Sequence, residues 1–280
     1  MKVRDFIIPE SLREARSVLK KLGDKGMVVA GGTALHFFGD TERTVVDISR
    51  LALSGIKKRT GGFRIGATTT LADLMRYRGK GWILDQVAAQ TSSQQIRNIS
   101  TLGGNIVRVF PWADWPVVLL ALDAVFHVDG KKKRSIPAAE FFESQPFRLF
   151  KAGDLLVSVD VPVLKKGQGF GYSKQKRVQA GFSLMTAAAM MTVKAGVIQK
   201  VRVAVGAAIP FPRRLTEVET ALQSQPADEA SLGPVVMEGA KNLSWKGKEG
   251  MSDEYAAHLA QVTVTDVLAA ALRRAKGDAS

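Results

Sequence analysis

The stretch Val28-Val29-Ala30-Gly31-Gly32-Thr33-Ala34-Leu35 decides how this chain is read. An apolar run ends in two glycines and a threonine, the pattern of a buried strand entering a tight turn, with Thr33 placed to cap the next helical turn. Glycine lets backbone amides approach a ligand with no Cβ in the way. Successive amides ahead of a helix start form a nest for anions. A second stretch, Gln95-Ile96-Arg97-Asn98-Ile99-Ser100-Thr101-Leu102-Gly103-Gly104-Asn105, again offers a Thr hydroxyl, two glycines and an Asn amide. One glycine pair alone is more often a plain turn than a phosphate site; two with this company can grip a diphosphate from both sides. Neither stretch is G-x-G-x-x-G or G-x-x-x-x-G-K-[ST], so Rossmann and P-loop readings have no motif support. Gly61-Gly62, between Lys57-Lys58-Arg59 and the apolar Phe63, has no helix after it and reads as a hairpin turn.

Composition narrows the chemistry. The 280 residues are 46% apolar and 24% charged, an ordinary soluble balance, and the length suggests about two domains. With no cysteine there is no disulfide, thiolate zinc site, cysteine-ligated iron–sulfur cluster or cysteine nucleophile. His36, His127 and His258 are far apart, so no local metal motif can be read, and no Ser/His/Asp or paired-carboxylate constellation is visible. The formal charge of +14 admits a nucleic-acid partner. Its distribution argues against one: Lys131-Lys132-Lys133-Arg134 follows the turn Asp129-Gly130, and no aromatic platform accompanies the basic runs. The charged opening Met1–Ile8 does not read as a leader. Pro116–Val128 is interrupted by Asp123 and His127, and Leu184–Val193 is only ten residues long. A spanning helix needs roughly 20, so no membrane span is expected and a cytoplasmic location is the default.

Along the chain, helical spacing predicts a helix over 9–22, and short strands follow at 27–30, 44–48 and 63–66. Thr70-Leu71-Ala72-Asp73 has capping-box spacing and opens a helix to about Tyr77. Next come a helical piece at 82–89, a glycine-rich loop at 101–105, a buried helix at 116–122, strands at 124–128 and 134–136, a helix at 138–143 and a strand at 154–161. Lys165–Gly169 reads as a linker and sets the main boundary, with domains at 1–165 and 170–280. The second part runs strands first (170–176, 183–193, 201–207) and helices after (215–223, 232–240, 263–275), which is an α+β order.

Several strings, in one order, resemble one family: Ala30 to Leu35, Val46-Asp47-Ile48-Ser49-Arg50-Leu51, Ile65-Gly66-Ala67-Thr68-Thr69-Thr70-Leu71-Ala72-Asp73-Leu74, Gln95-Ile96-Arg97-Asn98, Thr101 to Asn105, Pro111-Trp112-Ala113-Asp114 and Leu119 to Ala124. The chain is similar to the FAD-binding medium subunit of molybdenum hydroxylases, a group that includes xanthine dehydrogenase, aldehyde oxidoreductase and aerobic carbon monoxide dehydrogenase. The likeness covers residues 1 to about 223 and is thin beyond. It implies an FAD domain of the p-cresol methylhydroxylase type, in two α+β subdomains at about 1–55 and 56–165, and a small C-terminal α+β domain with an antiparallel sheet. It also implies noncovalent FAD, its diphosphate held by Val29, Ala30, Gly31, Gly32, Thr33, Ala34 and Leu35 and by Thr101, Gly103, Gly104 and Asn105. Asp114 matches a family Asp near the ribityl and phosphate region, or else is simply a helix N-terminal acid. Leu156 matches an aliphatic residue on the flavin ring, or is a strand core residue. Lys174 matches a lysine close to the ring, where a cation would stabilise an anionic reduced flavin, or is a solvated strand lysine.

Departures from the family pattern lie at Phe110, where a small polar residue is usual, and at the bulky Trp112. Thr33 stands where some relatives of this FAD fold carry histidine, so no covalent attachment is implied there. By resemblance, a large partner subunit holds a molybdenum cofactor, a small one holds [2Fe–2S] clusters, and FAD passes electrons to NAD⁺, a quinone or oxygen. The assembly would be a heterotrimer or its dimer. The alternative is a stand-alone flavin reductase or oxidase on the same fold. Zero cysteine then means that any cysteine-ligated cluster belongs to a partner, and no catalytic acid, base or metal site is expected on this chain.

Overall fold

The computed structural model describes residues 2–39, 41–248 and 250–277; the extreme ends of the two expected domains lie outside the described residues. In chain order, β1 (Lys2–Ile7), α1 (Leu12–Leu22), β2 (Gly26–Val29) and β3 (Glu42–Asp47) precede the hairpin β4 (Ile56–Arg59) and β5 (Gly62–Gly66). Short helices α2 (Leu71–Arg76), α3 (Asp85–Gln90), α4 (Gln94–Ile99) and α5 (Leu102–Val107) lead to α6 (Trp115–Ala121). A second hairpin, β6 (Val125–Asp129) and β7 (Arg134–Pro137), runs through α7 (Ala138–Phe141) to β8 (Leu155–Pro162). The remainder is β9 (Gln168–Gln175), β10 (Met185–Lys194), β11 (Val197–Gly206), β12 (Arg213–Arg214), α8 (Thr216–Leu222), α9 (Leu232–Gly239) and α10 (Asp253–Lys276). The α+β reading holds.

The chain forms two compact units, Met1–Arg108 with Val125–Val161, and Val109–Ala124 with Pro162–Ser280. The linker at 165–169 therefore does not mark the only crossing: residues 109–124 make an excursion into the second unit that no composition shift announces.

The first unit holds two sheets. A parallel sheet of order β1-β3-β2 is covered by α1, whose Ala15 and Leu19 pack on Val46, Ile48, Leu51 and Leu155. Ser11 caps α1 by accepting from the Glu14 amide. The other sheet has the order β4-β5-β8-β6-β7. Gly61, at φ +79°, makes the hairpin turn expected of Gly61-Gly62. Phe126 and Phe141 stack at 3.9 Å beneath this sheet's β6–β7 edge. The capping box at Thr70 and Asp73 is present in both directions. Sequence spacing did not reveal β1 or α4, because β1 is exposed almost throughout and α4 is a single short polar turn and a half.

The second unit is a four-stranded antiparallel sheet of order β12-β11-β10-β9. Met185, Ala187, Ala189 and Met191 on β10 face a core shared with α10. Strand alternation puts Thr186, Ala188 and Met190 on the opposite face. Two glycines of β9 permit the helix to lie close: a Cβ at Gly169 would fall 1.9 Å from the Ala271 carbonyl oxygen, and one at Gly171 2.0 Å from that of Val267. Helix α10 is longer than the expected 263–275. Its extra turns bury alanines, Ala256 and Ala260, whose small side chains make a weak apolar stripe. By length and composition α10 could cross a membrane, but nearly half of its most apolar stretch is buried in this core.

Asp123, at φ +50° just past α6, fastens that helix to the sheet. It accepts from Lys200 at 2.9 Å, Arg202 at 3.1 Å and Arg214 at 3.1 Å, while Arg214 also pairs with the buried Glu219. Burial opposes ionisation of Asp123, but the three cations outweigh it and hold the carboxyl below its ordinary value. In the first unit Asp160 is lowered likewise, partial burial being outweighed by Arg64 and His127. A carboxyl lowered in the folded state contributes stability above its unfolded pKa, lost as pH falls through the folded one. Unfolding free energy should therefore be flat above about pH 5 and decline below about pH 4. Asp123→Asn should be less stable at pH 7 and show a shallower acid decline in urea titrations at each pH.

Candidate functional site

In the first unit, β2 delivers Val29 into the turn Ala30–Ala34, followed by one turn of 3-10 helix at Leu35–Phe37. Thr33 does not cap that turn as expected; its hydroxyl instead bonds the Ser100 hydroxyl at 3.0 Å. Gly31 sits directly on the second stretch, where a Cβ would lie 1.9 Å from the Ile99 carbonyl oxygen. Gly32 adopts φ +67°, a left-handed conformation suited to glycine, and a Cβ there would make only ordinary contacts, with Leu35 Cδ1 at 3.7 Å and Val29 Cγ1 at 3.9 Å. Among the described residues, the N–H groups of Gly31, Gly32, Thr33 and Ala34 meet no hydrogen-bond acceptor. A run of free amides around a left-handed glycine is the arrangement of an anion nest.

The second stretch differs from expectation. Thr101–Asn105 is the cap and first turn of α5, not a loop. Its leading amides are already used: Leu102 donates to the Thr69 carbonyl, Gly103 to that of Ala67 at 2.8 Å, and Gly104 to the Thr101 hydroxyl at 3.2 Å. The physical reason is the helix itself, whose first-turn donors need partners, found here in residues 67–69 and in the cap. Gly103 is required for that approach, since a Cβ would stand 2.8 Å from the Ala67 carbonyl oxygen. Gly104 is exposed, with only the Thr101 hydroxyl near its missing Cβ. Asn105 donates its side-chain amide to the Thr101 carbonyl at 2.9 Å. Amides without an acceptor are thus found at Gly31–Ala34, while those of Leu102, Gly103 and Gly104 are partnered within the chain. Leu156 lies in β8 opposite Val128, 5% exposed, packed as a strand core residue.

In the second unit, Asp114 precedes α6 without capping it. Its carboxylate accepts from Lys174 Nζ at 2.6 Å and from the Thr186 hydroxyl at 2.7 Å. The Asp114 and Lys174 side chains are 3% and 4% exposed, so Lys174 is not a solvated strand lysine and its charge is compensated. Thr186 continues to the buried Ser183 hydroxyl. Tyr172, two residues before Lys174 and hence on the same face of β9, is half-buried, and its hydroxyl is enclosed and unpartnered among the described residues. Burial first, and then the Asp114 charge, push its phenol well above the ordinary value. Sequence reasoning missed Tyr172, Thr186 and Ser183; the Tyr-x-Lys alternation was the available signal for the first. Phe110 and Trp112 stack at 5.3 Å, and Trp112 meets Phe182 at 4.6 Å.

The first unit also assembles what the sequence did not show. Ser135 Oγ lies 3.0 Å from His127 Nδ1, and His127 Nε2 lies 2.8 Å from Asp160. Register between β6, β7 and β8 brings the three together on one sheet face. Arg64 engages both Asp160 oxygens, at 2.7 and 2.6 Å. A carboxylate neutralised this way is a weak orienter for a base, and these extended strands supply no oxyanion donors at Ser135. The group reads as a structural charge cluster. Among the described residues no cluster of His, Asp and Glu could hold a metal ion.

Comparison with known proteins places the geometry in context. The profile described as the FAD binding domain in molybdopterin dehydrogenase matches residues 1–164, and that of the CO dehydrogenase flavoprotein C-terminal domain matches residues 170–271. The 6-hydroxypseudooxynicotine dehydrogenase complex subunit alpha of Paenarthrobacter nicotinovorans is 29% identical over 97% of this chain and 95% of its own length. The glyceraldehyde dehydrogenase medium chain of Sulfolobus acidocaldarius is 30% identical over 76% of this chain and 79% of its own. A solved chain of the carbon monoxide dehydrogenase from Hydrogenophaga pseudoflava superposes with a TM-score of 0.88 at 26% identity, covering 96% of this chain and 97% of that one.

Breaking the buried Asp114–Lys174 pair leaves an uncompensated charge. Asp114→Ala should lower unfolding free energy by about 3–5 kcal/mol. Asp114→Leu combined with Lys174→Met should recover most of it in chemical denaturation of the full chain.

Proposed function

The chain belongs to the family of FAD-binding domains in molybdopterin dehydrogenases, and from that premise we propose that it is the electron-exit subunit of a multi-subunit molybdenum hydroxylase. The observation that carries the reading is the run of free amides at Gly31–Ala34 around the left-handed Gly32. These residues fit a diphosphate: four successive amides have no acceptor of their own, and a Cβ at Gly32 would meet nothing closer than Leu35 Cδ1 at 3.7 Å. Val29, Ala30 and Leu35 shape the turn at either end. Thr101, Gly103, Gly104 and Asn105 form the wall beside it, fastened to it through Thr33 and Ser100. Thr33 stands where some relatives of this FAD fold carry histidine, so nothing at this position supports covalent attachment, and the reading takes FAD as noncovalently bound.

Bound FAD supplies the exchange between one-electron and two-electron carriers. The protein's part is binding and electrostatic tuning. The resemblance implies that Leu156 would pack against the flavin ring, and it assigns Asp114 and Lys174 as cofactor-side polar residues. As a compensated pair, Asp114 and Lys174 exert a dipolar field and not that of a bare cation. Electrons would arrive from [2Fe–2S] clusters on a small partner and leave to NAD⁺ or another acceptor, while a large partner oxidises the substrate at its molybdenum cofactor. The absence of cysteine supports this division, since this chain cannot ligate such clusters through thiolates. On this reading the assembly would work in the cytoplasm.

The full chain should purify yellow and release FAD on acid extraction. Gly32→Asp puts a carboxylate at a left-handed position facing the diphosphate, and FAD affinity should fall by at least about tenfold. Colourless wild-type protein, even when co-expressed with its partner subunits, would sink the proposal.

A further inference from the structure

The free amides of Gly31–Ala34 lie on a turn, and two contacts tie that turn to the second stretch. Gly31 abuts the Ile99 carbonyl, and the Thr33 hydroxyl bonds that of Ser100 at 3.0 Å. Ile99 is the last residue of α4 and Ser100 its C-cap, whose amide donates to the Ile96 carbonyl at 2.8 Å. Helix α4 spans only Gln94–Ile99. So short a helix is not stable by itself, and its position is set from outside. Arg97 supplies an anchor. Its Nη1 donates to the carbonyls of Ser92 at 2.6 Å and Thr91 at 3.0 Å, and more loosely to that of Ala89 at 3.4 Å. Its Nη2 donates to Gln94 Oε1 at 3.1 Å, while Nε is enclosed with no acceptor among the described residues. Ala89 and Thr91 belong to the last turn and C-cap of α3, where carbonyls lack helical partners and a cation is favoured. Ser92 adopts φ +53°, uncommon for a residue with a side chain, and takes the shortest of these bonds. One guanidinium thus joins the end of α3 to α4 across the turn between them.

We propose that Arg97 is a positioning residue for the diphosphate nest. By fixing α4 against the end of α3, it holds Ile99 and Ser100 where Gly31 and Thr33 rest on them, and so keeps the four free amides in one arrangement. The inference rests on the FAD reading above and goes further by naming a residue that makes no hydrogen bond to the turn among the described residues. Donors held ready in the free protein bind more tightly than donors that the ligand must first order. Lysine is an incomplete substitute here: an ammonium can reach a carbonyl but lacks the planar fork that spans several acceptors at once.

The test measures FAD dissociation constants of the full chain by flavin fluorescence titration, with thermal melts to establish folding. Arg97→Ala should weaken FAD binding by about tenfold. Arg97→Lys should lie between, about threefold weaker, and it guards against Arg97→Ala failing to fold. Ser100→Ala cuts one of the links through which Arg97 acts. On that background Arg97→Ala should cost no more than about threefold, because residues that act through a shared contact are not additive. Arg78 is the control: it too donates to carbonyls at a helix end, those of Met75 and Tyr77 after α2, but it bonds nothing near the nest. Arg78→Ala should bind FAD as wild type does. Wild-type affinity in the folded Arg97 variants overturns the proposal. So does a full tenfold loss on the Ser100→Ala background, or an equal loss in Arg78→Ala, either of which would make Arg97 a general prop of the fold. No FAD binding by wild type defeats the functional reading, and this inference with it.

Discussion

Backbone lying against backbone, with glycine the only residue that leaves room, is the constraint on which both units depend. In the first unit Gly31 rests on the Ile99 carbonyl and Gly103 on that of Ala67. Those contacts bring a strand-to-turn segment and a helix start side by side, and they decide which amides are consumed and which stay free. In the second unit Gly169 and Gly171 do the same for a sheet and its long helix. A methyl group at any of these four positions would stand within 2.8 Å of a carbonyl oxygen. The glycines therefore serve different ends: some close the structure, while Gly32 and Gly104 keep a surface clear.

Both units pair the charge they bury. The first leaves neutral amides without acceptors at Gly31–Ala34 and sets Asp154 against Arg134. The second unit buries charge and compensates it locally, with Lys174 against Asp114, and Arg214 against Glu219. Burying an ion alone costs several kcal/mol, which explains why each of these has a partner at hydrogen-bond distance. The excess of positive charge in the chain is thus not stored in its interior.

Secondary structure was legible where the local signal was strong. The capping box at Thr70, the hairpins at Gly61-Gly62 and Asp129-Gly130, and the buried α6 follow from turn chemistry and apolar runs. The helix start at Thr101 was hidden because Leu-Gly-Gly-Asn has poor intrinsic helix propensity; tertiary hydrogen bonds from residues 67–69 hold it. Ser135, His127 and Asp160 were invisible as a group, since only strand register unites them. Arg64, far off in sequence, then decides that the group is a charge cluster.

By itself the sequence determined the two glycine stretches, the α+β order and, through the lack of cysteine, the need for any thiolate-bound cluster to lie on another chain. Those are properties of residue type and spacing, which survive without a fold. Only tertiary structure decided that the amides of one stretch stay free while those of the other are partnered, that residues 109–124 join the second unit, and that Lys174 is paired rather than solvated. Each depends on which groups from distant positions compete for the same hydrogen bond, and spacing along the chain carries no record of that competition.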